Sequence, residues 1–395
     1  MNNLKRPIDS GDRIAVAERI EAYMRNNLDA MIEALAVYVN HDSPSRDKSL
    51  LDALAEKIET RMKAAGGRVE PIKNAQGGDH LLIRFGPETT ADDSKPILIL
   101  GHFDTVWPAG TALERPFRIE SGRGFGPGSY DMKASVVLIE FAVAAIRDLK
   151  IGLDRRVTLL LNSDEEIGSP TSRRRIEREA RESAFALVVE PPTADGSLKT
   201  ARKGVGRFRI ETLGKAAHAG VEPEKGANAI VELAHQIVNI PLLQDLSCGT
   251  TLNVGLIEGG SGVNVVAARA SAEIDARVSN AAEADRIERA FASLKPAFEG
   301  TNVVVSGGFN RPPMERTETI AGLFERARSI ARSLDLDLTE ASTGGGSDAN
   351  FTAPFIPTLD GLGVPGAGAH SENEHVIVSE IPRRAALFAL LLLYL

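Results

Sequence analysis

Apolar residues recur at helical spacing over 13–40 and 47–65, and Gly66-Gly67 marks a stop for the second stretch. Strand-like apolar runs follow at 80–85, 96–101, 156–162 and 185–189, with helical stretches at 132–149 and 170–183 between them. Apolar strands alternating with helices predict an α/β fold whose mostly parallel sheet is covered on both faces. In such sheets the chemistry collects at the carboxyl ends of the strands.

Beyond about residue 202 the pattern changes. A strand over 206–213, a helix over 225–239, strands over 251–258 and 270–278, a helix over 281–296 and a strand over 302–306 follow in turn. This β-α-β-β-α-β order predicts a ferredoxin-like α+β domain inserted into the first. A helix over 318–334 then brings the chain back. The expected division is 1–203 for the first part of the α/β domain, 204–314 for the insert and 315–395 for the second part. The last stretch holds a Gly-rich loop, "TGGGSDAN" (343–350), and "GAHSENEH" (368–375).

Composition narrows the function classes. A length of 395 residues allows two domains with sizeable cores. The net charge is −8 and no long basic run interrupts it, which argues against nucleic acid or an anionic membrane as partner. "SRRRIEREAR" (172–181) mixes both signs and reads as a solvated helix face. The single cysteine, Cys248, cannot form an intrachain disulfide and has no activating base nearby in sequence, so it reads as structural. "MNNLKRPIDSGDR" holds no apolar core of signal-peptide length, and the apolar tail "AALFALLLLYL" is too short to span a bilayer. A cytoplasmic protein is expected.

The strand ends gather acids and imidazoles. "GHFDTVWP" (101–108) places His102 and Asp104 on alternate residues, so both point the same way from a strand end. Asp131, Asp164-Glu165-Glu166 and Glu190 follow at other loops, and the returning segment adds His370, Glu372, Glu374 and His375. Carboxylates this crowded repel one another unless cations sit among them. Imidazole and carboxylate without thiolate suit zinc, and also cobalt or manganese. Taken singly, a strand-end His is more often a hydrogen-bonded structural residue, and "DEE" more often a solvated loop or helix start. Their recurrence at successive strand ends favours a metal site. His41, His80 and His235 lack such a context and read as structural.

Seven stretches, "GHFDTV", "GPGSYDMKAS", "DEEIGS", "VVEPP", "GKAAHAG", "TGGGSDA" and "AHSENEHV", run in order from residue 101 to 376. Together they resemble the di-zinc metallopeptidase family of glutamate carboxypeptidase, aminoacylase, acetylornithine deacetylase and succinyl-diaminopimelate desuccinylase. "GHFDTVWP" and "EIPRR" make the glutamate carboxypeptidase branch the most similar. The resemblance implies two zinc ions per chain, with cobalt or manganese able to substitute. His102 and Glu190 would hold one ion, Glu166 and His370 the other, and Asp131 would bridge them. His375, five residues past His370, is the one competing candidate, and "HSENE" favours His370. Asp104 would orient His102. Glu165 would be the general base, taking a proton from a metal-bridging water and passing it to the leaving nitrogen. A cis peptide is implied at Asp131–Met132. Where some relatives carry a second acid after the bridging Asp, this chain has Met132.

The resemblance also implies the activity: hydrolysis of an amide or peptide bond that releases a C-terminal amino acid or deacylates an N-acyl amino acid. Asn264, Arg277, Arg311 and Gly345 resemble substrate-binding residues. An Arg fork pairs with a carboxylate in two places, although a surface ion pair is the plainer reading of each Arg. His218 in "GKAAHAG" would reach the partner subunit's active site from an inserted domain that serves as a dimerisation lid. A small peptide or N-acyl amino acid substrate and a homodimer are therefore the expected partners. A di-zinc aminopeptidase or dipeptidase is the alternative within the enzyme class and would need an acid to receive a free amine. A non-catalytic metal-bound peptide-binding protein would have no use for Glu165. "GRGFGPG" (122–128) does not lie between a strand and a helix as nucleotide binding requires, and no G-x-S-x-G supports a serine hydrolase.

Overall fold

The computed structural model describes residues 10–88 and 94–395; residues 1–9, part of the N-terminal stretch considered above, lie outside it. The chain forms two compact units. One takes the chain up to Thr200 together with Arg316–Ser342 and Ser347–Leu395, and the other takes Ala201–Glu315 with Thr343–Gly346.

The first unit is built on a six-stranded sheet. Across it run Arg68–Ile72, His80–Phe85, Val157–Asn162, Ile97–His102, Phe185–Val188 and Thr358–Leu359. The last four are mutually parallel, whereas the first two join antiparallel. Ile97–His102 and Val157–Asn162 are buried at every position. That is what a strand covered on both faces requires, and it explains their unbroken apolar runs. The edge strand Arg68–Ile72 escaped the sequence reading because it carries two charged residues, has no buried position and contains Pro71, which cannot donate to a ladder. Helix Ala134–Asp148 is buried almost all round, and the C-terminal helix Glu380–Tyr394 packs on it. Leu387, Leu390 and Leu391 are fully buried there, each stabilising by about 1.5–3 kcal/mol. Among the described residues no helix is long and apolar enough to cross a membrane.

The helix expected over 13–40 is two helices, Ser10–Asn26 and Leu28–Val39. At Asn27 the side-chain amide donates to the Tyr23 carbonyl at 2.8 Å, competing with the backbone ladder where the helix breaks. Asp47 caps the next helix, Lys48–Ala64, by accepting the Leu50 N–H at 3.1 Å.

The second unit has strands Gly204–Leu213, Thr251–Gly259, Arg269–Val278 and Asn302–Arg311, with helices Ala229–Asn239 and Ala281–Ala292. Across the sheet the second strand pairs with the third, the third with the first and the first with the fourth, all antiparallel. This is the split β-α-β arrangement read from the sequence. Its core stacks Phe208 on Phe291 at 4.1 Å beside Ile210, Leu233 and Ile274. The chain enters and leaves this unit as neighbours: Arg202 N–H donates to Met314 O at 2.9 Å, and Met314 N–H returns to Arg202 O at 3.0 Å. The Arg202 guanidinium also holds the Gly-rich loop, donating to Gly345 O at 2.9 Å. In this unit Val238, Leu242, Leu246, Leu256 and Ile257 are exposed.

Candidate metal centre

Ile97–His102 and Val157–Asn162 run parallel and end in register, His102 opposite Asn162. The loops that follow them therefore leave from the same edge of the sheet. His102 is buried, with Nδ1 3.3 Å from Asp104 Oδ1 and Nε2 3.3 Å from Asp131 Oδ1 and 3.6 Å from Glu190 Oε1. Asp131 lies in the turn Ser129–Lys133, entered through Gly128 at φ +72°. A side chain at Gly128 would be strained by that φ and would also meet Thr105 Cγ2 at 2.5 Å. The Asp131–Met132 peptide is cis. Met132 is fully buried, and its Sδ accepts the His102 N–H at 3.4 Å. The position where some relatives carry an acid is thus a packing contact beneath His102.

The other oxygen of Asp131 lies 3.5 Å from His370 Nε2, which is 3.1 Å from Glu166 Oε2. Two groups result, His102–Asp131–Glu190 and Asp131–Glu166–His370, and within each the donor atoms lie within 4.8 Å of one another. His102 Nε2 and Asp131 Oδ1 are buried with no hydrogen-bond partner. Leaving such atoms unsatisfied costs about 1–3 kcal/mol each, and a cation between them removes the cost. The nitrogen and oxygen donor set, without sulfur, fits zinc, cobalt or manganese. Titration carries the same sign. Hydrogen bonds to Asp131 and Glu166 push His370 up to about 10. Burial pulls His102 down, but Asp104 and Asp131 outweigh it and hold it well above its ordinary value. Positive charge is stabilised at both places.

Buried acids fix these loops. Asp104 accepts the Ser45 hydroxyl at 2.7 Å and the N–H groups of Glu165 and Glu166, each at 3.2 Å. Asp164 turns away from the centre and accepts the N–H and hydroxyl of Thr171, both at 2.7 Å. Asp348 accepts the Ser169 hydroxyl at 2.5 Å and the Asn162 amide. Glu165 opens a short 3-10 turn, Glu165–Ile167, beside Glu166. Ser45 and Asp348 carried no sign of these contacts in the sequence, being ordinary residue types far from their partners.

Not every candidate joins the groups. His375 lies in the strand His375–Ile377, with Nδ1 2.8 Å from Asn373 O and its ring 5.1 Å from Phe125. Glu372 is exposed and belongs to neither group. His80 is buried between Thr171 and Ser163. In the second unit His218 and Asn264 are exposed neighbours: His218 pairs with Val265, and Ala219 N–H donates to Asn264 O at 3.0 Å. Arg277 is held by Asp275 through two nitrogens, at 2.8 and 2.9 Å, while Arg311 is buried.

Comparison with known proteins places this geometry. A family model described as Peptidase family M20/M25/M40 matches residues 98–394. Carboxypeptidase G2 of Pseudomonas sp. (strain RS-16) is 30% identical over 375 residues, covering 92% of this chain and 89% of the relative. Succinyl-diaminopimelate desuccinylase of Beijerinckia indica is 25% identical over 365 residues, covering 85% and 91%. Among solved structures, the aminopeptidase PepT of Bacillus cereus superposes with a TM-score of 0.75 at 22% identity, covering 93% of this chain and 98% of that one. At that identity the likeness speaks for the fold.

Proposed function

The chain belongs to peptidase family M20/M25/M40, a family of metal-dependent hydrolases, and from that premise we propose that it is a two-zinc carboxypeptidase or N-acyl amino acid amidohydrolase. The observation that carries this reading is Asp131, whose two oxygens face two separate His–carboxylate groups. His102 and Glu190 would hold one ion, Glu166 and His370 the other, and Asp131 both. When bound, such ions polarise the scissile carbonyl and lower the pKa of the attacking water.

The chain's own residues supply the rest. Asp104 takes the Nδ1 side of His102, leaving Nε2 as the donor toward the metal. Glu165, its backbone anchored on Asp104, is the general base that takes the proton of the attacking water and delivers it to the leaving nitrogen. Arg277 and Arg311, with Asn264 and Gly345, receive the carboxylate of the released amino acid. Asp275 already orients the Arg277 fork, which reduces the freedom lost on binding. Basic rather than acidic receiving groups favour this over an aminopeptidase. The second unit joins two copies as a dimer and brings His218 to the partner's site. The exposed Val238, Leu242, Leu246, Leu256 and Ile257 suit such an interface.

The test is a substrate panel for the zinc-loaded protein: N-acyl amino acids, dipeptides and acyl-glutamates, each also as the C-terminal amide. Turnover that requires the free carboxylate is expected. Equal turnover of the amides, or dependence on a free amino terminus, would overturn the assignment.

A further inference from the structure

Glu374 belongs to neither donor group, yet it is buried and fully engaged. Its Oε1 accepts the backbone N–H groups of Tyr130 and Asp131, both at 3.0 Å. Its Oε2 accepts the Gly128 N–H and the Trp107 indole N–H, both at 2.9 Å. Its own carbonyl accepts the Gly126 N–H at 3.4 Å. Lys133, also buried, feels the charge of Glu374, while its Nζ donates to His41 O at 2.7 Å.

These partners come from separate loops. Trp107 lies five residues past His102, Gly128 to Asp131 form the turn that carries the shared Asp, and Glu374 itself lies four residues past His370. One carboxylate therefore ties together segments that serve both donor groups, and it bonds directly to the main chain of the residue they share. We infer that Glu374 is a positioning residue that holds the Asp131 carboxylate between the two metal positions; this rests on the two-metal reading above. An amide at 374 would turn an NH2 toward two N–H donors, so charge and acceptor capacity are lost together while volume is kept.

The experiment compares wild type, Glu374→Gln and Trp107→Phe, which removes one of the four donors. Zinc affinity is measured against a competing chelator, the cobalt-substituted proteins give visible spectra, and the metal-free proteins are melted. For Glu374→Gln, binding of the weaker ion should fall by about 10–100-fold, as for other residues that orient metal ligands. The cobalt bands should shift, and kcat should fall with little change in KM. Trp107→Phe should move the same readouts less. A lowered metal-free melting temperature with unchanged zinc affinity and cobalt spectrum would overturn the inference in favour of a purely structural role. Should Glu374→Gln not fold, Trp107→Phe decides on the same two readouts: a shift supports the inference and no shift overturns it. Failure of wild type to take up two ions would instead sink the two-metal reading itself.

Discussion

The Glu166 N–H donates to Asp104 Oδ2 at 3.2 Å, while Oδ1 of the same carboxylate stands 3.3 Å from His102 Nδ1. One side chain thus couples the imidazole of one donor group to the main chain of the other. Asp104→Asn keeps the volume but replaces one acceptor oxygen with a donor. We expect zinc affinity or kcat to fall by about 10–100-fold, with both ions affected. Competitive zinc titration beside steady-state kinetics checks this, and a variant with wild-type values in both would show that Asp104 is dispensable.

Glu165 is predicted to act on protons and not on the metal. Glu165→Gln should retain both ions by elemental analysis while kcat falls by about 10²–10⁴-fold. Loss of metal together with activity would reassign Glu165 as a ligand.

Chelation should abolish activity, and about two equivalents of zinc, cobalt or manganese per chain should restore it. Because the ions bind the folded chain, restoring them at 100 times their dissociation constants should also raise stability by about 2.7 kcal/mol per occupied site. Calorimetry with and without metal reads this directly. A metal-free protein with full activity would refute the proposed centre.

His218 and Glu165 are predicted to act from different subunits. We propose that the His218 N–H stabilises the oxyanion formed as water attacks, so His218→Ala alone should lose about 10²–10³ in kcat, the usual cost of removing such a donor. Mixed with Glu165→Gln under subunit exchange, the pair should regain up to about a quarter of wild-type activity per total site, since half the dimers are hybrids with one restored site of two. No recovery despite demonstrated hybrid dimers would place His218 outside the reaction.

Asp79 gives a pH test away from the centre. Burial would raise its pKa, but hydrogen bonds from Lys48 and Lys73, both at 2.7 Å, outweigh this and hold it at about 2. A depressed carboxylate contributes stability above its unfolded pKa of about 3.9 and loses that contribution as pH falls through about 2. Lys73 is largely and Lys48 partly exposed, so the contribution is about 1–2 kcal/mol. Asp79→Asn should therefore be destabilised by that amount at pH 6, with the gap closing toward pH 2 in denaturant titrations. A gap independent of pH would mean that packing, and not charge, is what Asp79 contributes.

The sheet's central strands were legible because burial on both faces demands unbroken apolar runs, and Ile97–Leu100 and Val157–Leu161 carry little else. His102, Glu166 and Glu190 were legible for a related reason, since each follows an apolar strand, where a polar residue is visible locally; Asp131 and His370 stood out only through the motifs around them. Contacts across the chain were not. Ser45 meets Asp104 and Asp348 meets Asn162 over separations of 59 and 186 residues, through residue types common in any loop. Glu374 was visible only as one more acid near His370, because its partners are backbone N–H groups, which every sequence contains. The break at Asn27 was hidden too, since one side-chain bond to a carbonyl interrupts an otherwise helical pattern.

The mutual hydrogen bonds of Arg202 and Met314 close the ends of the second unit on one another. For the α/β unit, everything between those residues is a single excursion whose two ends stay adjacent. The entropic cost of closing such an excursion grows only with the logarithm of its length, about 0.6 kcal/mol for each doubling. The α/β unit is therefore nearly indifferent to the size of what it carries there. Joining residues 202 and 314 by a short turn should therefore change the closure entropy carried by the α/β unit by only a few kcal/mol.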